Sequence, residues 1–361
     1  RAPRHARDGC APWARGSRRV PRRTLRGPAG PARRREGRHM RFTPRGFPTR
    51  YGRGLLPEIT DGLGDYVLVA HPEPWDLVRP TLRHQPRLVI DAGDLSPAHL
   101  DRLVAEVGSP SAVVGLGGGT AMDTAKWIHW RGRIPLYQAP SLPSVNACFT
   151  RMTALRDGGG VRYEGDAVPE CVLVDYDLIG SAPRALVNGG IGDVLSCHTA
   201  RHDWRLAGDR DHPWDEEQAA MSLVYIDELE SLAPSLAAGE DDGLRRLMEC
   251  HRDIGWRCHE LRHARFEEGS EHFLAYTFEA VTGRTIMHGE LVALGVLVMS
   301  AIQGNDPARA RRITDAAQMR TGLDELGVEW TEIEASLRRL PSFVEEQRLW
   351  YSVANGLVVD D

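Results

Sequence analysis

Lysine is almost missing from this chain: of its 45 Lys and Arg side chains, Lys126 is the only lysine. Such a ratio points to a GC-rich coding sequence in which Arg codons displace Lys codons. It also makes the one ammonium stand out, because a compact, rotatable point charge acts in a tight site as a planar guanidinium cannot. Long apolar runs are missing too. The richest, Leu291 to Ile302, is broken by small residues and falls short of the roughly 18 residues a membrane span needs, so no membrane partner is expected. The six cysteines, Cys10, Cys148, Cys171, Cys197, Cys250 and Cys258, form no CxxC pair and no dense framework. A reducing compartment, and with it a cytoplasmic location, is the simpler expectation. No internal repeat is visible.

Positive charge is scarce outside the first 39 residues. That leader holds 13 Arg against Asp8 and Glu36, a net of +11, which leaves 32 basic and 48 acidic residues, or −16, for the rest. An acidic body argues against nucleic acid as its main partner, since duplex binding needs a basic face that displaces counterions. The leader is rich in Arg, Pro, Gly and Ala, lacks an apolar period and the apolar core of a secretory signal, and reads as disordered. A basic nucleic-acid arm, a transit peptide and codons translated upstream of a start at Met40 compete for it. The last is preferred, because Met40 opens the first stretch of ordinary composition. The remaining chain, with an apolar share of 42% overall, has ample material for a core.

Between Met40 and about residue 180, short β-branched runs alternate with helical or turn segments. Tyr66 to Ala70, Arg87 to Ile90, Ala112 to Leu116 and Cys171 to Val174 read as strands buried on both faces, and Pro97 to Val107 has helical spacing. These predict an α/β dinucleotide-binding domain with a parallel sheet over 40–180. From about Ser181 strand patterns stop and helical ones take over: Glu216 to Leu232, Gly243 to Leu261, Glu271 to Val281, His288 to Ile302 and Pro307 to Arg320. An all-helical domain over 181–361 is expected, with Pro183, Gly189 and Gly190 marking the junction.

The segment Val113 to Lys126, VVGLGGGTAMDTAK, is a buried strand running into three glycines and then a helix. Gly117, Gly118 and Gly119 lack Cβ atoms, so the backbone can turn sharply and bring N–H groups against a phosphate, and the helix start adds its positive dipole end. A pyrophosphate fits such a place, although a plain strand-to-helix turn has the same outline. The pattern is neither GxGxxG nor a Walker loop. Asp123 and Lys126, three apart, share a helix face. They are read either as a surface ion pair, or as a contact to the nicotinamide end of a dinucleotide (Asp123) with positive potential near a substrate or phosphate (Lys126).

Three further segments hold candidate metal ligands: NGGIGDVLSC with Asp193, GSEH with His272 and HGE with His288, each with a glycine within three positions. A carboxylate and two imidazoles suit zinc or ferrous iron with a position left for a substrate oxygen. His198 and His202 are an i, i+4 pair, but Asp193 lies about 140° round a helix from His198. Cys250, His251, Cys258, His259 and His263 match no zinc spacing. Cys197 shares a face with Asp193 and is read either as a fourth ligand or, preferably, as a small core residue.

In their order, GLGGGTAMDTAK, GIGD, GSEH and HGE resemble the superfamily of iron-containing alcohol dehydrogenases and dehydroquinate synthases, most of all its sn-glycerol-1-phosphate dehydrogenase branch, from about Arg50 to the C-terminus. The resemblance implies a dehydroquinate synthase-like fold with a metal site in the cleft between the two domains. It implies that Gly117, Gly118, Gly119, Thr120 and Ser141 contact NAD or NADP, that Asp123 meets the nicotinamide portion, and that Asp193, His272 and His288 hold Zn²⁺ or Fe²⁺. Asp at the first ligand position looks like the dehydrogenase branches, whereas the cyclases place Glu there. The implied activity is hydride transfer between NAD(P) and a small polyol or polyol phosphate, with Lys126 and Asn146 in the catalytic surroundings and a homo-oligomer as the assembly. The alternative is a sugar-phosphate cyclase of the dehydroquinate or deoxyinosose synthase type that uses NAD transiently. Two departures stand out. After the strand that follows the glycine loop, APSLPSVNACFT puts Asn146 where the family carries a carboxylate and Ala147 where it carries glycine. Cys197 stands where the iron alcohol dehydrogenases carry a fourth, histidine ligand.

Overall fold

A computed structural model describes residues 40–157 and 160–359; the Arg-rich leader lies outside the described residues. The strands are β1 (Thr49–Gly52), β2 (Tyr66–Ala70), β3 (Leu88–Asp91), β4 (Ala112–Gly117), β5 (Leu136–Pro140), β6 (Thr153–Asp157), β7 (Gly160–Glu164) and β8 (Cys171–Asp175). Six of them form one sheet in the order β1-β8-β5-β4-β2-β3, and every pairing in it is parallel. Side chains alternate across the sheet. Val67, Val69 and Val113 enter the large core, while Tyr66, Leu68, Ala112, Val114 and Leu116 enter a second cluster on the opposite face. Burial on both faces is why these strands read as unbroken apolar runs.

Helices α1 (Leu55–Gly62), α2 (Pro72–Val78), α3 (Pro97–Val107) and α4 (Gly119–Gly132) connect the strands. After β2 the chain crosses toward β3 at one edge, and after β4 it crosses toward β5 on the other side. The loops following these two neighbouring strands therefore diverge and open a crevice at their carboxyl ends, the place where open α/β sheets bind ligands. The triple glycine lies in this crevice, and a Cβ on Gly117 would meet His71, at the end of β2, at 3.0 Å.

Beyond Asp175 every described element is helical: α5 (Tyr176–Gly180), α6 (Arg184–Asn188), α7 (Ile191–Leu195), α8 (Cys197–Ala207), α9 (Glu216–Ala237), α10 (Asp241–Leu261), α11 (Ser270–Thr282), α12 (His288–Gln303), α13 (Pro307–Ala316), α14 (Leu323–Leu326) and α15 (Trp330–Glu346), with a short 3-10 turn at Val353–Gly356. In packing, the described residues form one unit, and the large core runs through strands and helices alike. None of the described helices is long and apolar enough to cross a membrane.

Several elements differ from the sequence reading. β1 is four half-buried residues at the sheet edge, with only Tyr51 to mark it. The antiparallel β6–β7 hairpin was not expected either; it is short and charge-rich and rests on α4 rather than on an apolar face of its own. The helix expected to reach Arg320 ends at Ala316.

Candidate metal centre and glycine turn

Asp193 sits in the middle of the short α7, His272 in the first turn of α11, and His288 opens α12. These segments meet because glycine lets backbone touch backbone. A methyl on Gly192 would lie 1.7 Å from the Gly289 carbonyl oxygen, and one on Gly289 would lie 2.1 Å from the Gly189 oxygen. The glycine beside each ligand is thus a packing requirement, and it brings Asp193 under His288.

One ligand atom from each of Asp193, His272 and His288 falls within 4.8 Å of the other two. Asp193 Oδ1 is 3.4 Å from His272 Nε2 and 3.5 Å from His288 Nε2. His272 Nδ1 lies 2.9 Å from Glu271 Oε1. A carboxylate can only accept, so Nδ1 carries the proton and Nε2 turns its lone pair toward the group, as a metal-binding imidazole must. Glu271 is fully buried and also accepts from the Gly269 N–H at 2.6 Å and the Thr199 hydroxyl at 2.7 Å. Spacing, donor chemistry and ring orientation all fit a divalent ion. Burial alone would push the Asp193 carboxyl up, but His272 and His288, when both rings are protonated, hydrogen-bond to it and hold it well below the usual carboxylate range.

Around this group lie residues that sequence reasoning missed. The buried Glu267 accepts from the Asn146 amide, with both oxygens 3.3 Å from Nδ2, and from Cys258 Sγ at 3.1 Å. Burial, then the neighbouring Asp193 charge, pushes its carboxyl up to about 8. Glu268 accepts from the Tyr276 hydroxyl at 3.0 Å, and the Tyr276 ring stacks against His288 at 6.5 Å between centroids. His251, from the cysteine–histidine cluster set aside above, has Nδ1 3.9 Å from Asp193 Oδ2. Some of this was visible: Glu271 is inside GSEH, the two glutamates directly precede it, and Tyr276 is four residues after His272 on one helix face. Glu290 of HGE is structural, held by Arg320 through two 2.7 Å contacts. Cys197 is fully buried in the core, and His198 Nε2 bonds the Asn305 carbonyl.

At the other end of the crevice, Gly117 has φ 148°, a conformation side chains resist, and Gly118 leads into α4 with no side-chain cap. A Cβ on Gly118 would meet nothing within 4 Å. Thr120, in the first turn, is half-buried, and the Ser141 N–H donates to the Gly117 carbonyl at 2.9 Å. Asp123 and Lys126 form a buried ion pair at 2.7 Å and not a surface one. Lys126 also donates to Thr150 Oγ1 at 3.0 Å and to the Met152 carbonyl, which fixes its ammonium inside the protein. Burial raises the Asp123 carboxyl, against the pull of Lys126. At the end of β3, Asp94 bonds Ser96 through both oxygens, while Asp91 is exposed.

One stretch of chain links the two ends. Ser141 touches Gly117, Val145 lies 3.2 Å from where a Gly119 Cβ would be, and the Asn146 N–H donates to Asp193 Oδ2 at 3.2 Å. The glycine turn and the carboxylate–imidazole group therefore line one crevice.

Residues 86–183 match the family described as iron-containing alcohol dehydrogenase. Among curated relatives, a glycerol-1-phosphate dehydrogenase [NAD(P)+] of Hyperthermus butylicus is 27% identical over 284 residues, 76% of this chain and 81% of that one. Its counterpart in Aeropyrum pernix is 30% identical over 226 residues, 62% of this chain and 64% of the relative. This chain is a relative of the iron-containing alcohol dehydrogenases. It spans four-fifths of the first relative's length and just under two-thirds of the second's. The fold is shared with a glycerol dehydrogenase from Schizosaccharomyces pombe (TM-score 0.66, 20% identity, covering 88% of this chain and 87% of that one). It is shared too with a probable glycerol dehydrogenase from Sinorhizobium meliloti 1021 (TM-score 0.62, 22% identity, 83% and 90%).

Proposed function

We propose that this chain is a metal-dependent, NAD(P)-linked dehydrogenase that transfers hydride between the nicotinamide and an alcohol carbon of a small polyol or polyol phosphate. The observation that carries this reading is the convergence of Asp193, His272 and His288 in the crevice that also holds the glycine turn. The names of the curated relatives support it.

In this reading Asp193, His272 and His288 hold a divalent ion, zinc or ferrous iron, which when bound supplies Lewis acidity at the alcohol or carbonyl oxygen. The dinucleotide, when bound, supplies the hydride acceptor or donor. The chain does the positioning. Gly117, Gly118, Gly119 and Thr120 receive the pyrophosphate on backbone N–H groups at the start of α4, and Ser141 braces the turn. Asp123, fixed by Lys126, meets the nicotinamide end. Asn146 holds Asp193 from the backbone side and Glu271 fixes the His272 ring, so the ligands keep their geometry without reorganising. We place the protein in a reducing compartment, the cytoplasm, in keeping with five described thiols that are all unpaired.

The test is a panel of glycerol, glycerol phosphates, dihydroxyacetone phosphate and sugar phosphates, run with both cofactors on zinc- or iron-loaded protein. Net change in NAD(P)H absorbance is expected; product formed without it would mean a cyclase. His288→Ala should lose both bound metal and turnover, and full turnover by a metal-free variant would overturn the reading.

A further inference from the structure

The β6–β7 hairpin has no part in the function proposed so far, yet it spans the crevice. At its base it hangs from α4, where the Lys126 ammonium donates to Thr150 Oγ1 at 3.0 Å and to the Met152 carbonyl. Side chains alternate along β6. Thr153 and Leu155 are buried, so Ala154 and Arg156 lie on the other face. Tyr163 stands opposite Ala154 in the antiparallel register and shares that second face.

This second face meets α11. Arg156 Nη1 lies 3.9 Å from Glu279 Oε2, and the Tyr163 phenol reaches the Tyr276 hydroxyl. Glu279 is three residues after Tyr276 and His272 is four before it, so the three side chains share one face of α11. The hairpin therefore bridges the helix that opens at the glycine turn and the helix that carries a metal-ligand candidate. Tyr163 is 51% exposed, too open for a core residue, and the carboxyl groups around its hydroxyl are Glu268, Glu267 and Asp123. Two of these flank the carboxylate–imidazole group and the third is on α4, which puts the hydroxyl between the metal end and the cofactor end of the crevice. A hydroxyl donates once and accepts twice. Tyr276 spends its proton on Glu268 Oε1 at 3.0 Å, so this short line of hydroxyls ends at Tyr163 with lone pairs still open to the crevice.

We propose that Tyr163 determines specificity: its hydroxyl holds an oxygen of the substrate other than the one at the metal, so that the site reads a second oxygen and prefers polyols to simple alcohols. A site built to hydrogen-bond a substrate oxygen disfavours the analogue that lacks it, because the partner group is then left unpaired. This rests on the dehydrogenase reading and narrows its substrate class.

The test uses the full-length, zinc-loaded protein with NADH or NADPH bound, so that an alcohol can bind but no hydride can leave it. Two probes with the same carbon chain, glycerol and 1-propanol, are titrated by nicotinamide fluorescence. Wild-type protein should bind glycerol at least about tenfold more tightly than 1-propanol. Tyr163→Phe keeps the ring and removes the hydroxyl; it should weaken glycerol about 3- to 10-fold and leave 1-propanol, metal content and NAD(P)H affinity as they were. In turnover the same loss should appear in KM for glycerol, with kcat nearly unchanged. Equal binding of the two probes by wild-type protein overturns the proposal without any variant. So does a Tyr163→Phe protein that binds glycerol as well as wild type, or that loses both probes alike, which is what a purely structural tyrosine would give. The dehydrogenase reading fails separately, if metal-loaded protein changes NAD(P)H with no alcohol or carbonyl of the panel.

Discussion

At the end of β4 the binding surface is backbone; in α7 and at the starts of α11 and α12 it is side chain. The first offers N–H groups, a helix end and open space where a Gly118 Cβ would be. The second offers a carboxylate and two imidazoles on segments packed so closely that Gly192 and Gly289 leave no room for a methyl group. The same small substitution therefore has opposite meanings in the two places. Added at the turn, it enters the ligand's space and shows as lost affinity. Added beneath Asp193, it enters another backbone and shows as lost folding.

The largest effect is expected from Gly192→Ala. Its Cβ can be housed only by moving α7 off the start of α12, which should destabilise the chain by about 3 kcal/mol and scatter the ligands. Urea unfolding and metal content check this. A variant with the native midpoint would mean that the close contact is not what holds the group together. Next comes Glu271→Gln, which keeps the shape but gives His272 Nδ1 and two other donors a poorer acceptor. Metal affinity and turnover should fall about 10- to 100-fold. Metal affinity unchanged within error would remove Glu271 from the centre.

These two predictions also mark what the sequence could and could not reveal. The glycine turn is contiguous, so strand, turn and helix are spelled out in fourteen residues, and the inner strands β2, β4 and β8 announce themselves because burial on both faces demands unbroken apolar runs, as the half-buried edge strand β1 does not. The ligands could be named because each has a glycine neighbour and its motif resembles a family's. Their supports could not. Glu267 reaches Asn146 across 121 positions, and Thr199 reaches Glu271 across 72; contacts of that span leave no local period. The pair Asp123 and Lys126 was found but not its burial, since the hairpin that covers it is short, polar and held by α4.

Gly118→Ala is the counterpart at the turn. Gly118 has ordinary negative φ and no neighbour within reach of a Cβ, so the variant should fold within about 1 kcal/mol of the native chain. It should bind NAD(P)H about tenfold more weakly, because the methyl would stand where a pyrophosphate must approach. Fluorescence titration beside an unfolding curve reads both. If affinity holds and stability falls, the open space is not a cofactor site, and the contrast between the two surfaces fails at its backbone end.

The smallest effect lies away from both surfaces and asks whether stability can be altered without touching either. His263 stacks on His212 at 4.3 Å and packs edge-on to Trp204 at 5.5 Å. Burial first, then the charge of His212, holds its imidazole down at about 4, below the ordinary 6.5. The folded chain thus favours the neutral ring. Its contribution is complete above 6.5 and is lost as pH falls toward 4, because over that range the unfolded chain takes up a proton that the folded one refuses. The ring is only partly buried, so solvent screening reduces the effect to under about 1 kcal/mol. His263→Phe keeps a ring against Trp204 and removes the titration. The stability advantage of the native chain over this variant should therefore be greater at neutral pH than near pH 5, with metal content the same in both. A gap that stays constant with pH would mean that the stacked pair titrates normally, and a gap that came with metal loss would mean that this cluster is coupled to the centre after all.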